Sequence, residues 1–318
     1  MNGKDILSHA GELEVVRPSA EAEEIVNRCL RGIGERAVAG GGFSGQVGGA
    51  FRPDATAWAV VAMRACGVAH DRLYPAREKL ASIQAEDGSV ALADGLNSTV
   101  WPTPLAILAW HGSAPFSDSE CRALDFLLAA EGVRWERRAD ENETAVDPRL
   151  RGWPWVTGTF SWVEPTALSM VALTACGHRG HPRCHEAVAL LMDRQVSAGG
   201  WNFGGTRVYR AEHAPLPETT GLVLVALSDR VPRDAVEKAL AFARASAARL
   251  RTPLSLAWCL LGLAAWGDEP DGSPASIMEC LGRESRYGGY DTTHLALLAL
   301  ASIAKWTETG PLFSGGPR

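Results

Sequence analysis

Four carboxylic acids stand in the same local sentence. Asp54, Glu164, Glu218 and Asp291 each lie two residues before a threonine (Thr56, Thr166, Thr220, Thr293), and after each threonine the chain turns almost wholly apolar. A carboxyl group held in a dry, apolar cavity can keep a proton and deliver it to a substrate. An acid near a helix start can instead satisfy free backbone N–H groups and favour the helix dipole. Four copies fit capping, because a catalyst is needed only once; the pattern leaves both roles open for each copy.

Other residues add to the chemical inventory. Trp58, Trp101, Trp153, Trp155, Trp162, Trp201 and Trp258 fall in or just before the apolar runs. Indole faces attract cations and carbocations; they also simply fill a large core. Trp58, Trp101 and Trp162 stand at or just before run starts and are the candidates to line a pocket. The stretch CGHRGHPRCHE (176–186) holds Cys176, His178, His181, Cys184 and His185. These are zinc-type ligands, but their spacing matches no standard zinc module, so no metal is expected. The segment 132–162 interrupts the third repeat, and long insertions of this kind are commonly functional or mobile. Its Arg134, Arg137, Arg138, Arg149 and Arg151 suit a diphosphate, while Asp140, Glu141 and Glu143 offer them internal partners.

The elements that carry these residues repeat. DATAWAVVAM (54–63), WPTPLAILAW (101–110), EPTALSMVAL (164–173), ETTGLVLVAL (218–227), SLAWCLLGLA (255–264) and DTTHLALLAL (291–300) share one frame, with Leu256 at the threonine place in the fifth. Each is apolar on nearly every side, so each predicts a helix buried all round. Between them lie segments with a single apolar stripe: 21–33, 76–84, 119–130, 185–195, 233–245 and 275–283. These predict amphipathic helices, and the alternation predicts stacked helical hairpins. An inner ring of six helices inside an outer ring of six, an all-α (α/α)6 toroid, covers the inner helices on all faces. An open solenoid is the alternative. The expected organisation is a tail over 1–18, one domain over 19–305 with the insertion at about 132–162, and a tail over 306–318.

Composition narrows the function. A net charge of −6 with 21% charged residues does not provide the basic face of a nucleic-acid binder. No apolar run is long enough to span a bilayer, and the acidic first residues do not read as a signal peptide. Seven scattered cysteines suit free thiols in a reducing cytoplasm, which is the expected location.

Two joints between repeats share a pattern: QAEDGSV (84–90) and QVSAGGW (195–201). The second resembles the QW motif, Q-x3-G-x-W, of squalene and oxidosqualene cyclases, and the first is a variant with valine for tryptophan. With the inner-helix frames, residues 19–305 resemble the terpenoid cyclase and protein prenyltransferase α/α-toroid superfamily. The resemblance implies a central cavity for an apolar, isoprenoid-type ligand and, for an enzyme, acid-initiated cyclisation or isomerisation. It places Asp54, in RPDATA (52–57), on the catalytic aspartate of the cyclases' D-x-D-D-T-A, with Arg52 and Ala55 where the family has aspartates. It places His294 on the zinc-binding histidine of the prenyltransferases, while RTPLSLAW (251–258) lacks their Asp and Cys. The expected site is therefore Asp54 as acid, with Trp58, Trp101, Trp162, Glu164, Glu218, Asp291 and His294 as ligand-binding residues and no cofactor. The alternative is a non-catalytic toroid, acting as a scaffold for a protein partner or as a lipid carrier.

Overall fold

The structure is a computed structural model that describes residues 19–93, 99–136, 146–205, 207–208, 211–307, 310 and 312. The tail 1–18 and the insertion residues Arg137, Arg138, Asp140, Glu141 and Glu143 lie outside the described residues.

The helices follow the two periodicities of the sequence. Amphipathic α1 (Ala20–Gly34) leads to α2 (Pro53–Ala65), which is buried along nearly its whole length. The alternation continues with α3 (His70–Ser82), α4 (Pro102–Trp110), α5 (Ser117–Ala129), α6 (Val163–Ala175), α7 (Pro182–Asp193) and α8 (Pro217–Leu227). It ends with α9 (Glu237–Arg249), α10 (Pro253–Ala264), α11 (Ser273–Gly282), the short α12 (Glu284–Tyr287) and α13 (Thr292–Ile303). Helix α3 begins six residues before the amphipathic stretch read from the sequence, because Pro75 is carried inside it. A proline removes one N–H without ending a helix when the carbonyl it leaves faces water; Asp71, four residues earlier, is exposed.

Helices α2, α4, α6, α8, α10 and α13 pack in that order, and α13 returns to α2, so the inner ring closes. Each outer helix lies against inner neighbours. The chain is all-α; the strands among the described residues are one short antiparallel pair, Arg207–Val208 with Ala211–Glu212. Closure rests on named bonds as well as packing. Thr292 N–H donates to Gly45 O (3.0 Å), Thr292 Oγ1 donates to Ser44 O (2.6 Å), and Arg36 Nη2 donates to Tyr290 O (2.6 Å). The last repeat is thereby tied to the first, which excludes the open solenoid. No helix among the described residues is long and apolar enough to cross a membrane.

The repeated threonine has a structural role. Thr56, Thr103, Thr166 and Thr220 are fully buried. Their hydroxyls accept from the backbone N–H of Phe43 (2.8 Å), Val90 (3.0 Å), Trp153 (3.0 Å) and Trp201 (3.0 Å), residues inside each incoming loop. The joints obey a matching rule. Gly88 (φ +90°) and Gly199 (φ +86°) take left-handed backbone, and a Cβ on either would sit 2.1 Å from Arg122 O or 2.4 Å from Lys238 Cβ. Only glycine allows the joint to press onto the next outer helix. Gln84 and Gln195 secure it by donating to Ser119 O (2.9 Å) and Ala235 O (3.2 Å).

Candidate functional site

Proline opens α2, α4, α8 and α10 at the first helical position, where its missing N–H costs nothing and its fixed φ suits the helix. This sets Asp54 and Glu218 at the second position of their helices; Glu164 holds the same place in α6. None of the three caps its helix through a side-chain bond. Asp291 alone does so, accepting from the His294 N–H at 2.8 Å.

The other acids are engaged sideways. Asp54, nearly buried, accepts a two-pronged hydrogen bond from Arg52: Nε to Oδ1 at 3.0 Å and Nη2 to Oδ2 at 2.7 Å. Asp54 and Asp291 both raise the Arg52 pKa, the Asp54 hydrogen bond being the larger cause. Glu164 Oε1 accepts from Thr219 Oγ1 of the next inner helix (2.7 Å), and Glu218 Oε2 accepts from Ser255 Oγ of the one after (2.8 Å). Burial pushes the Glu164 carboxyl up and the nearby Glu218 charge adds to this, against the Thr219 bond that favours its ionised form. The first turns of α6, α8 and α10 are thus laced together by acid–hydroxyl pairs. His294, half-buried, pairs with Asp291 (Nδ1 to Oδ1 3.2 Å) and meets the Tyr290 ring edge-on at 6.0 Å.

The tryptophans divide into two groups. Trp58 of α2 and Trp258 of α10 meet edge-to-face, centroids 5.8 Å apart, and both are buried. Trp101 packs edge-on against Trp155 (5.9 Å), and Trp162 lies against Phe160 (4.1 Å). Trp155 and Phe160 come from the insertion, whose segment near Val133 and Phe160 makes a parallel bridge. Trp101, immediately before α4, and Trp162, where the insertion joins α6, therefore hold the insertion to the ring.

A cavity of about 540 Å³ opens at the other end of the inner helices. The last turns of α6, α8 and α10 and the residues after α13 all reach it, through Ala175, Ala226, Leu261, Ala265, Ala304 and Leu312. Inner helices whose ends share one cavity run parallel, so the four acids stand at the opposite mouth. Arg179, half-exposed, and Arg230 border the cavity. Arg179 Nη2 donates to Asp229 O (2.6 Å), and Arg230 Nη1 donates to Arg179 O (3.0 Å).

The ligand-rich stretch 176–186 does not gather as one cluster. His181 caps α7 through its own ring nitrogen, and Cys184 is buried with its thiol directed to His178 O. Cys176 instead meets two residues from elsewhere in the chain. His111 ends α4 and Glu120 lies on α5; Nδ1 and Oε1 are 2.8 Å apart, and Cys176 Sγ lies 3.1 Å from Oε1 and 3.5 Å from Nδ1. Neither partner carries a local sequence signal for this meeting.

No protein-family model matches the chain, and no curated protein matches it in sequence. Solved structures match its fold. A type II terpene cyclase, MstE from Scytonema, in complex with geranylgeranyl dihydroxybenzoate, is 15% identical with a TM-score of 0.61, over 90% of this chain and 98% of that one. An inactive variant of the α-1,6-mannanase GH76A of Salegentibacter, in complex with α-1,6-mannotriose, is 12% identical with a TM-score of 0.59, over 90% and 99%. A protein from Actinoplanes is 17% identical with a TM-score of 0.54, over 84% and 80%. The likeness is one of fold, shared by toroids that act on unrelated substrates.

Proposed function

We propose that the chain binds an apolar, isoprenoid-type small molecule in the cavity at the C-terminal ends of the inner helices. The cavity carries this reading. Its volume lies within the range of ligand pockets, about 300–1,000 Å³; alanine, valine and leucine share its wall with Thr174, Ser228 and Thr307, and Arg179 and Arg230 border it together with Asp229. Burying a prenyl chain contributes roughly 0.8 kcal/mol per methylene, and a cationic border suits an acidic head group. The terpene cyclase neighbour, bound to a geranylgeranyl compound, supports the ligand class. Calorimetric titration with geranylgeraniol and geranylgeranyl diphosphate tests it. Saturable binding should weaken at least tenfold in Ala226→Phe, which fills the wall, at unchanged melting temperature. Absence of saturable binding, or undiminished binding in that variant, refutes the reading.

A second reading, acid-initiated cyclisation or isomerisation at the opposite mouth, draws on the acids. Asp54 holds the frame position of the cyclase acid, but the Arg52 fork must release it before it can pass on a proton. Glu164 is held by a hydroxyl rather than an arginine fork, and burial shifts its carboxyl toward the protonated form. Incubation with squalene and prenyl diphosphates, followed by extraction, tests this. Product lost in Asp54→Asn alone assigns the acid to Asp54; loss in Glu164→Gln alone assigns it to Glu164. No product from the wild type leaves a carrier or a scaffold.

A further inference from the structure

The one group of three metal-ligand side chains that converge among the described residues is His111, Glu120 and Cys176. It is separate from the four acids and draws on three elements of the second and third repeats. We propose that it is a binding site for a single zinc-type divalent cation, held by His111 Nδ1, Glu120 Oε1 and Cys176 Sγ.

The geometry fits. The three atoms form a triangle with edges of 2.8, 3.1 and 3.5 Å. A point about 2 Å from every corner lies just off its plane, against zinc distances of about 2.0–2.2 Å to nitrogen and oxygen and 2.3 Å to sulfur. Opening the two shorter edges by about half an ångström gives tetrahedral angles. One imidazole, one carboxylate and one thiolate suit zinc, cobalt or nickel rather than magnesium or calcium. The His111 and Glu120 side chains are 24% and 15% exposed, so an ion has a path in, and a fourth position is left for water.

The surroundings organise the ligands. Arg64, buried beside them, donates from Nη1 to Leu108 O (2.9 Å) and His111 O (2.8 Å), which fixes the turn that presents the imidazole. Supporting contacts of this kind hold a metal ligand in orientation. Burial and the hydrogen bond to Glu120 push the Cys176 thiol up, while the Arg64 charge opposes them. In the metal-free state the thiol and the imidazole both bond to the Glu120 carboxylate. Binding sends the thiol proton to solvent and moves the neutral imidazole's proton from Nδ1 to Nε2, so that Nδ1 can ligate and about one proton is released per ion. The repeat gives an internal control: Cys66 ends α2 as Cys176 ends α6, and belongs to no such group among the described residues.

The test is Co(II) titration of the full chain, made without a histidine tag and kept reduced. One equivalent should bind, with a near-ultraviolet thiolate-to-cobalt band and the strong visible bands of a four-coordinate ion. Cys176→Ser should abolish the near-ultraviolet band, and His111→Asn and Glu120→Gln should each weaken binding at least tenfold. Cys66→Ser should leave all of this unchanged. Wild-type protein that shows no such band in excess cobalt overturns the proposal, whatever the variants do. A band that persists in Cys176→Ser overturns it equally, and the cluster is then a hydrogen-bonded packing contact.

Discussion

The Thr166 hydroxyl accepts the backbone N–H of Trp153 at 3.0 Å, thirteen residues upstream, at a place where both residues are fully buried. The same bond recurs from Thr56 to Phe43 and from Thr103 to Val90, at the same separation, and from Thr220 to Trp201 over nineteen residues. Thr166→Val keeps the shape and strands a buried donor, at a cost of about 1–3 kcal/mol. In the last repeat the bonded hydroxyl belongs to Thr292, and Thr293 is partly exposed. Thr293→Val should therefore stay within about 0.5 kcal/mol of wild type. Urea midpoints of the two variants check the contrast.

Gly221 and Gly262 let α8 and α10 approach backbone to backbone. A Cβ on Gly221 would lie 2.1 Å from Trp258 O, and one on Gly262 would lie 2.7 Å from Gly221 O. Alanine is the better helix former by about 1 kcal/mol, so propensity alone predicts stabilisation. Gly221→Ala should instead destabilise by about 1–3 kcal/mol or more, because the clash is with backbone that cannot rotate away. A raised midpoint for this variant would show that the two helices are not in contact there.

Glu164 sets a pH dependence of known sign. Its folded pKa is raised by burial and by Glu218, so its contribution to stability is full below the ordinary carboxylate pKa and is lost as pH rises through the raised value. Glu164→Gln holds the neutral form at every pH. The melting temperature of the variant relative to wild type should increase between pH 4 and 8. A flat difference would mean that the carboxyl is not shifted.

Trp201 is fully buried and donates from Nε1 to Leu191 O at 2.6 Å. Trp201→Ala should cost about 3–5 kcal/mol through lost packing, with a further penalty at the carbonyl it abandons. Trp135, 46% exposed, should tolerate alanine within about 0.5 kcal/mol. Thermal denaturation of both variants separates joint tryptophans from surface ones.

Much of the architecture was legible because it is periodic. Apolar residues on every face can belong only to helices covered all round, and single stripes only to helices covered on one side; six of each predicted the double ring. The Gln-x3-Gly joints were legible because left-handed backbone under close contact admits only glycine. The sites were not legible in the same way. Asp54, Glu164 and Glu218 occupy equivalent places in sequence, yet one is paired with an arginine and the others with hydroxyls of the following helices, because lateral partners are set by the ring. Only tertiary structure decided where the cavity lies, since it depends on which of many small side chains happen to face one another at one mouth. It alone also brought Cys176 to His111 and Glu120, which are 65 and 56 residues away along the chain. Local spacing determines helices and turns; contacts between helix ends belong to the closed ring.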